Sequence, residues 1–142
     1  MNIFYLILIF LLGLSVGSFL NVVILRFDDF ESVLKGRSHC PHCKKLLKWY
    51  ELAPLFSYLI LAGKCFSCKK AISLQYPLVE LLTGLAFLGV FYFYGFSWAA
   101  LILAIIFSLL ILIAAYDAVF SEIPDVLSYT AIILVAFWII YL

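Results

Sequence analysis

Three long runs of this chain carry no charge: residues 1–25, 81–116 and 126–142 contain no Asp, Glu, Lys or Arg. No other feature limits its folding as strongly. Inside a bilayer the backbone finds no water, so every N–H and C=O must be paired within the protein, which favours α-helices. The whole chain is 68% hydrophobic and 12% charged, whereas a soluble domain is about half apolar and about a quarter charged. An all-α integral membrane protein follows, shaped by lipid rather than by a large aqueous core.

Residues 1–25 are long enough as a helix to cross a hydrocarbon core of ~30 Å at ~1.5 Å per residue. A cleavable signal peptide would want a basic start and a shorter apolar stretch. Neither is present, so a retained span is expected. Gly13 and Gly17 lie one turn apart on it, where small residues let another helix approach closely. Residues 81–116 would make a single helix of ~54 Å, too long for one untilted crossing. Gly95-Phe96-Ser97 is the natural break, which gives helices over about 76–94 and 97–117. Residues 126–142 are at the lower limit for a span. About four transmembrane helices are therefore expected. Leu52 to Ala62 is apolar, interrupted by Pro54 and too short to span, so it reads as a short helix at the membrane interface or under the loop. Trp49 and Tyr50 suit that depth. No internal repeat and no low-complexity linker are expected.

Charge distribution supplies orientation. The formal net charge is +1, which gives no indication of nucleic-acid binding, but all nine basic residues fall between Arg26 and Lys70. Cytoplasmic loops of membrane proteins are enriched in Lys and Arg. The loop at 26–75 is thus expected in the cytoplasm and the N-terminus outside. Counting crossings returns residues 117–125 to the cytoplasmic face.

Within that loop, Cys40-Pro41-His42-Cys43 and Cys65-Phe66-Ser67-Cys68 are separated by 21 residues. Two such pairs can close one tetrahedral metal site. Cytoplasmic thiols stay reduced, which favours metal over disulfides. Four thiolates suit zinc and leave it no open position, so Cys40, Cys43, Cys65 and Cys68 are expected to hold a structural zinc. His39 and His42 flank the first pair, and either is an alternative ligand, although four thiolates need none. A redox dithiol is the weaker alternative, since no thioredoxin-like pattern accompanies it.

Outside the 26–70 window the only charges are Glu80, Asp117, Glu122 and Asp125. Asp117 is expected to end the third helix, where the helix dipole disfavours an acid. An ionisable residue at such a boundary is either a marker of the water interface or a functional group. Pro124 and Asp125 fit the first turn of the next helix. Glu122 reads as a solvated loop charge. Glu80 lies near the start of the second span, where capping and chemistry make the same demand.

The motifs together resemble the type IV prepilin leader peptidase/N-methyltransferase family. The resemblance is carried by Gly17-Ser18-Phe19-Leu20-Asn21 through Arg26, Ser38-His39-Cys40-Pro41-His42-Cys43 and Glu51-Leu52-Ala53-Pro54-Leu55-Phe56-Ser57-Tyr58. It continues through Gly63-Lys64-Cys65-Phe66-Ser67-Cys68, Ile72-Ser73 and Tyr76-Pro77-Leu78-Val79-Glu80-Leu81, and ends with Asp117-Ala118-Val119-Phe120-Ser121-Glu122-Ile123-Pro124-Asp125. It implies an aspartyl endopeptidase of the bacterial inner membrane. Such an enzyme removes the leader of prepilins and pseudopilins after a glycine and methylates the new N-terminus with S-adenosylmethionine. By that resemblance Asp117 is a catalytic carboxylate. Asp125, eight residues on across a Pro-containing turn, is an accessory candidate by proximity and not by the family pattern, and Glu80 is another. Glu80 and the Gly17–Asn21 stretch are also candidates for the methyl-transfer half. The implied organisation is a transmembrane helix at 1–25, a cytoplasmic zinc-binding insertion at 26–75, and transmembrane helices at 76–142 that begin the aspartyl peptidase domain.

Two departures stand out. The family carries about eight spans and a second catalytic Asp in a Gly-x-Gly-Asp motif, and these 142 residues contain no such motif. A shortened or C-terminally truncated member, without the complete dyad, is the expectation. Phe27-Asp28-Asp29 also replaces the apolar residue and Pro that relatives tend to have after the Arg. Two readings from other classes remain. One is a non-catalytic membrane scaffold using the zinc loop to bind a pilus or type II secretion partner. The other is a zinc-responsive transporter subunit, which would need more polar residues in the spans than Asn21 alone.

Overall fold

A computed structural model describes residues 2–27 and 29–141. Among them there is no strand, and six helices follow in order: α1 Ile3–Leu25, α2 Phe30–Lys35, α3 Phe56–Ile60, α4 Gln75–Tyr94, α5 Trp98–Phe120 and α6 Asp125–Tyr141. A short 3-10 turn at Trp49–Glu51 precedes α3. The helices α1, α4 and α5, of 23, 20 and 23 residues, are long and apolar enough to cross a membrane. The fourth apolar helix, α6, has 17 residues. Large side chains such as Ile3, Phe4, Tyr92, Phe93, Ile105 and Ile132 are exposed around them, as helices that face lipid require. The protein is an integral membrane protein.

The long helices run alternately up and down. At one end the Tyr5 ring of α1 lies 6.3 Å from Phe96 in the α4–α5 turn. At the other, Phe27 after α1 meets Tyr116 of α5 edge-on at 5.2 Å. The cysteine loop and the α5–α6 connection therefore share one end of the bundle. The principal contact is α1 against α4, and glycine makes it possible. A Cβ on Gly13 would sit 2.8 Å from the Gly84 Cα, and one on Gly17 would sit 2.7 Å from the Glu80 Cα. Lipid offers helices no hydrophobic reward for associating, so such close backbone packing is what holds them. Leu20, Ile24, Val79, Leu112, Ala115, Tyr116 and Leu127 fill the loop end of the interior. Ile9, Phe87, Val90, Phe91, Ala100 and Ala104 fill the other.

The break at 95–97 has a local cause. Gly95 takes a positive φ of 59°, and the Ser97 Oγ caps α5 by accepting the Ala100 N–H at 3.2 Å. Two expectations need correction, and one helix is new. Helix α5 runs on to Phe120 and ends at Ser121 in the left-handed conformation, so Asp117 lies inside the last turn rather than at the helix end. The apolar stretch from Leu52 to Ala62 yields only the five-residue α3, because Pro54 and the positive φ of Leu55 hold its first residues out of the helix. Helix α2 was not anticipated. It is capped by the Asp29 Oδ1, which accepts the Ser32 N–H at 3.2 Å, and carries a Lys35–Glu31 ion pair at 2.7 Å.

Candidate functional site

The cysteine loop is built twice over. In the first half the Cys40 N–H donates to the Lys45 carbonyl at 2.9 Å, the Lys44 N–H to the Cys40 carbonyl at 2.9 Å, and the Leu47 N–H to the Ser38 carbonyl at 2.9 Å. In the second half the same bonds recur at Cys65–Lys70 (2.9 Å), Lys69–Cys65 (3.0 Å) and Ile72–Gly63 (2.7 Å). Lys44 and Lys69 each adopt a φ of 57°, and isolated bridges pair His39 with Leu46 and Lys64 with Ala71. Residues 38–47 and 63–72 are thus two copies of one knuckle, contrary to the expectation of no internal repeat. The shared Cys-x-x-Cys-Lys-Lys was the available signal.

Each knuckle turns its two sulfurs towards those of the other. The four Sγ atoms all lie within 4.8 Å of one another, with Cys40–Cys68 at 3.8 Å and Cys43–Cys65 at 4.0 Å. Tetrahedral zinc at ~2.3 Å from each sulfur places the sulfurs ~3.8 Å apart, so the cluster is already the size a metal ion requires. Cys40 and Cys65 are buried, Cys68 is partly buried and Cys43 is exposed. The sulfurs differ electrostatically. The backbone N–H groups of Cys68 and Ser67 hold the Cys65 thiol down at about 6. At Cys68 the Lys70 N–H pulls the same way, but burial and the other cysteine sulfurs outweigh it and push that thiol up to about 11. His39 and His42 are both exposed, and the metal-sized cluster consists of the cysteines alone.

Two polar ties fasten the loop to the helices, and a third closes the loop on itself. Glu80 is 7% exposed on α4, and its Oε2 accepts the Leu55 N–H at 2.7 Å. That bond serves a backbone donor which the turn around Pro54 would otherwise leave unmet. Arg26, at the end of α1, donates from Nη1 to the Ser32 carbonyl and from Nη2 to the Arg37 carbonyl at 3.0 Å. Glu51 is buried, accepts the Lys48 N–H at 2.9 Å and pairs with the Lys45 Nζ at 3.5 Å. Sequence reasoning missed Arg26 and Glu51, because their partners are backbone atoms and a lysine set apart by folding.

Between this loop and the ends of α1 and α4 lies a cavity of about 670 Å³, within the range of small-molecule sites. Ser18, Asn21, Arg26, Tyr58, Tyr76 and Glu80 are among its walls, and Cys40 and Cys65 line it too. Asn21, 2% exposed, donates from Nδ2 to the Tyr76 carbonyl at 3.1 Å and to the Gly17 carbonyl at 3.3 Å. Asp117 and Asp125 are exposed and form no part of the wall. The fold thus gathers Glu80, the Gly17–Asn21 stretch and the cysteines around one space. It leaves the two aspartates outside that space, at the same end of the bundle.

Comparison with known proteins follows the same outline. The family described as Bacterial Peptidase A24 N-terminal domain matches residues 11–94, a span that includes both knuckles, Asn21 and Glu80. A protein of Myxococcus xanthus (strain DK1622) named prepilin leader peptidase/N-methyltransferase is 46% identical over 109 residues, covering 77% of this chain and 32% of the relative. Relatives of the same name in Neisseria gonorrhoeae and Pseudomonas aeruginosa are 40% and 37% identical, covering 80% and 82% of this chain and 48% of each relative. The chain spans about a third to a half of the length of these curated relatives. No solved structure matches it.

Proposed function

The chain belongs to the bacterial peptidase A24 family, and from that membership we propose that it serves prepilin processing: removal of the leader peptide of prepilins and pseudopilins and N-methylation of the new N-terminus. The observation that carries this reading is the identity of 37–46% to proteins of that name across most of the chain. Its place is the bacterial inner membrane, with the N-terminus outside and the cysteine loop and Asp117 on the cytoplasmic side. The nine basic residues confined to 26–70 support that orientation.

In this reading Asp117 is a catalytic carboxylate of an aspartyl endopeptidase. It takes a proton from water as the water attacks the peptide carbonyl, while a second, protonated acid polarises that carbonyl. Residues 76–142 then form the start of the peptidase domain. No Gly-x-Gly-Asp occurs among these residues, so the accessory acids they offer are Asp125 and Glu80. The first-turn position of Asp125 on α6 equally suits simple favourable placement at a helix dipole. Zinc on Cys40, Cys43, Cys65 and Cys68 is structural. Four thiolates close its coordination shell, and the ion clips the two knuckles into one body. S-adenosylmethionine supplies the methyl group when bound. Glu80 and the Gly17–Asn21 stretch are the residues assigned to the methyl-transfer half, which the cavity they share supports.

A second reading is a non-catalytic zinc-loop scaffold of a pilus or type II secretion assembly. The exposure of Asp117 and Asp125 away from the cavity favours it. A leader-cleavage assay with a prepilin separates the two. Processing that is lost in Asp117→Ala supports the peptidase. No processing by well-folded chain sinks autonomous catalysis and leaves the scaffold.

A further inference from the structure

Helix α3 presents an apolar face that the protein leaves uncovered. Phe56, Leu59 and Ile60 stand at i, i+3 and i+4, the spacing of one helix face, and all three are exposed, Ile60 to 82%. Tyr58 turns the other way: its hydroxyl donates to the Ile72 carbonyl at 3.4 Å, and it lines the cavity. The turn at Trp49–Glu51 packs against α3, and its Trp49 is 84% exposed. An apolar patch of this kind in a polar loop marks an interaction surface.

Depth decides what covers it. The Leu55 N–H, at the start of α3, is bonded to Glu80, five residues into α4, which begins at Gln75. At ~1.5 Å per residue that anchor lies ~8 Å along α4 from its start. Helix α4 has 20 residues, a length of ~30 Å that matches the hydrocarbon core, so its start marks the membrane boundary. The first residues of α3 are therefore fixed inside that boundary, at the ~5–10 Å to which interfacial helices sink an apolar face.

Charge decides which lipid. Residues 38–74 carry six lysines and one acid, Glu51, which is buried and paired with Lys45. Lys48 directly precedes Trp49, and its Nζ lies 5.7 Å from the centre of the Tyr50 ring. Lys64 follows α3 by four residues. Both lysines are exposed, and among the described residues neither pairs with a carboxylate. Unpaired ammonium groups beside a sunken apolar face are complementary to phosphate headgroups above acyl chains. We propose that α3 and the Trp49–Tyr50 pair form a binding surface for anionic phospholipid of the bilayer that α1, α4 and α5 cross. Trp49, Phe56, Leu59 and Ile60 lie among the acyl chains, and Lys48 and Lys64 meet the headgroup phosphates. The surface gives the cysteine loop a hold on the membrane besides its polar ties to α1 and α4. It uses neither the cavity nor the two aspartates, so it stands whether or not the chain cleaves prepilins.

The test titrates the purified, delipidated chain with an equal mixture of phosphatidylglycerol and phosphatidylcholine and reads the bound lipid by native mass spectrometry. Phosphatidylglycerol is expected in at least about tenfold excess, and Lys48→Gln and Lys64→Gln each to cut that preference about fivefold, the scale of one basic residue at an anionic surface. Depth is read in nanodiscs of the same mixture from Trp49 as the sole tryptophan, with Trp98→Phe and Trp138→Phe. Brominated acyl chains are expected to quench it and aqueous acrylamide to reach it poorly, and Leu59→Ser with Ile60→Ser to reverse that order. Equal binding of the two lipids, or a preference untouched in both lysine variants, overturns the proposal. So does a Trp49 open to acrylamide and unquenched by brominated chains, which would put the face in water and give it to an acidic protein. Should the tryptophan variants misfold, tryptic cleavage at Lys64 decides with wild-type protein. Protection is expected in the mixed nanodiscs and not in phosphatidylcholine alone, and equal cleavage in both contradicts the surface.

Discussion

At the scale of single residues, the fold depends on atoms that are missing. Gly17 has the Glu80 Cα, the Val79 carbonyl and the Thr83 Oγ1 within 3.0 Å of where a Cβ would stand. Two of these three are backbone atoms and cannot turn away. Gly17→Ala should push α1 off α4 and cost about 1–3 kcal/mol, the usual scale of overpacking. Gly89, on the same α4, has nothing within 4 Å of a Cβ, so Gly89→Ala should stay within about 0.5 kcal/mol. Thermal melting of the two variants in one detergent checks the contrast, and equal melting points would contradict the close approach. The pairing of Gly13 with Gly17 was legible in the sequence as small residues one turn apart. The partner was not, because Gly84 and Glu80 lie more than sixty residues away and only folding selects them. Glu80 illustrates the same limit. Its position near a helix start was readable, but its bond to the Leu55 N–H depends on an irregular turn with no sequence periodicity.

At the scale of the element, the paired knuckles bring four sulfurs within 4.8 Å of one another, a set that could hold a metal ion. Cys65 is already a thiolate above about pH 6, whereas Cys68, pushed up to about 11, holds its proton throughout the neutral range. Zinc must therefore displace the Cys68 proton at pH 7. Below about pH 6 it must displace the Cys65 proton as well. Because metal and protons compete for the same sulfurs, zinc retention should weaken as pH falls, and more steeply below about 6. Competition with a chromophoric chelator from pH 8 to 5 measures this, and pH-independent retention would count against thiolate ligands. Cys43→Ser should drop zinc well below the roughly one ion per chain expected of the intact site. It should also open residues 36–74 to protease while α1 and α4 stay protected. The gathering of the four sulfurs was legible from Cys-x-x-Cys spacing alone. The twofold construction was hard to read because the two copies share only Cys-x-x-Cys-Lys-Lys, in which Lys44 and Lys69 take the left-handed turn. Helix α2 went unread for a related reason: its six residues are too few for a periodic pattern to emerge.

At the scale of the whole molecule, two regions of possible chemistry share one end of the helical bundle. The cavity lies between the metal loop, α1 and α4, and the aspartates stand at the α5–α6 connection. Charge-free runs made the spans and their alternation legible, since length against bilayer thickness leaves few solutions. The cavity was not legible, because its walls come from four separate stretches that no local motif joins. The central claim is that Asp117 supplies one acid of a peptidase dyad while the cysteine loop only holds the fold. It is tested most directly in a chimera in which residues 1–142 replace the matching part of a longer relative, assayed for leader removal from a prepilin. The chimera is predicted to cleave, and its Asp117→Ala form to lose at least about a thousandfold of that rate while keeping its zinc. Cleavage at an undiminished rate by the Asp117→Ala chimera would contradict the account.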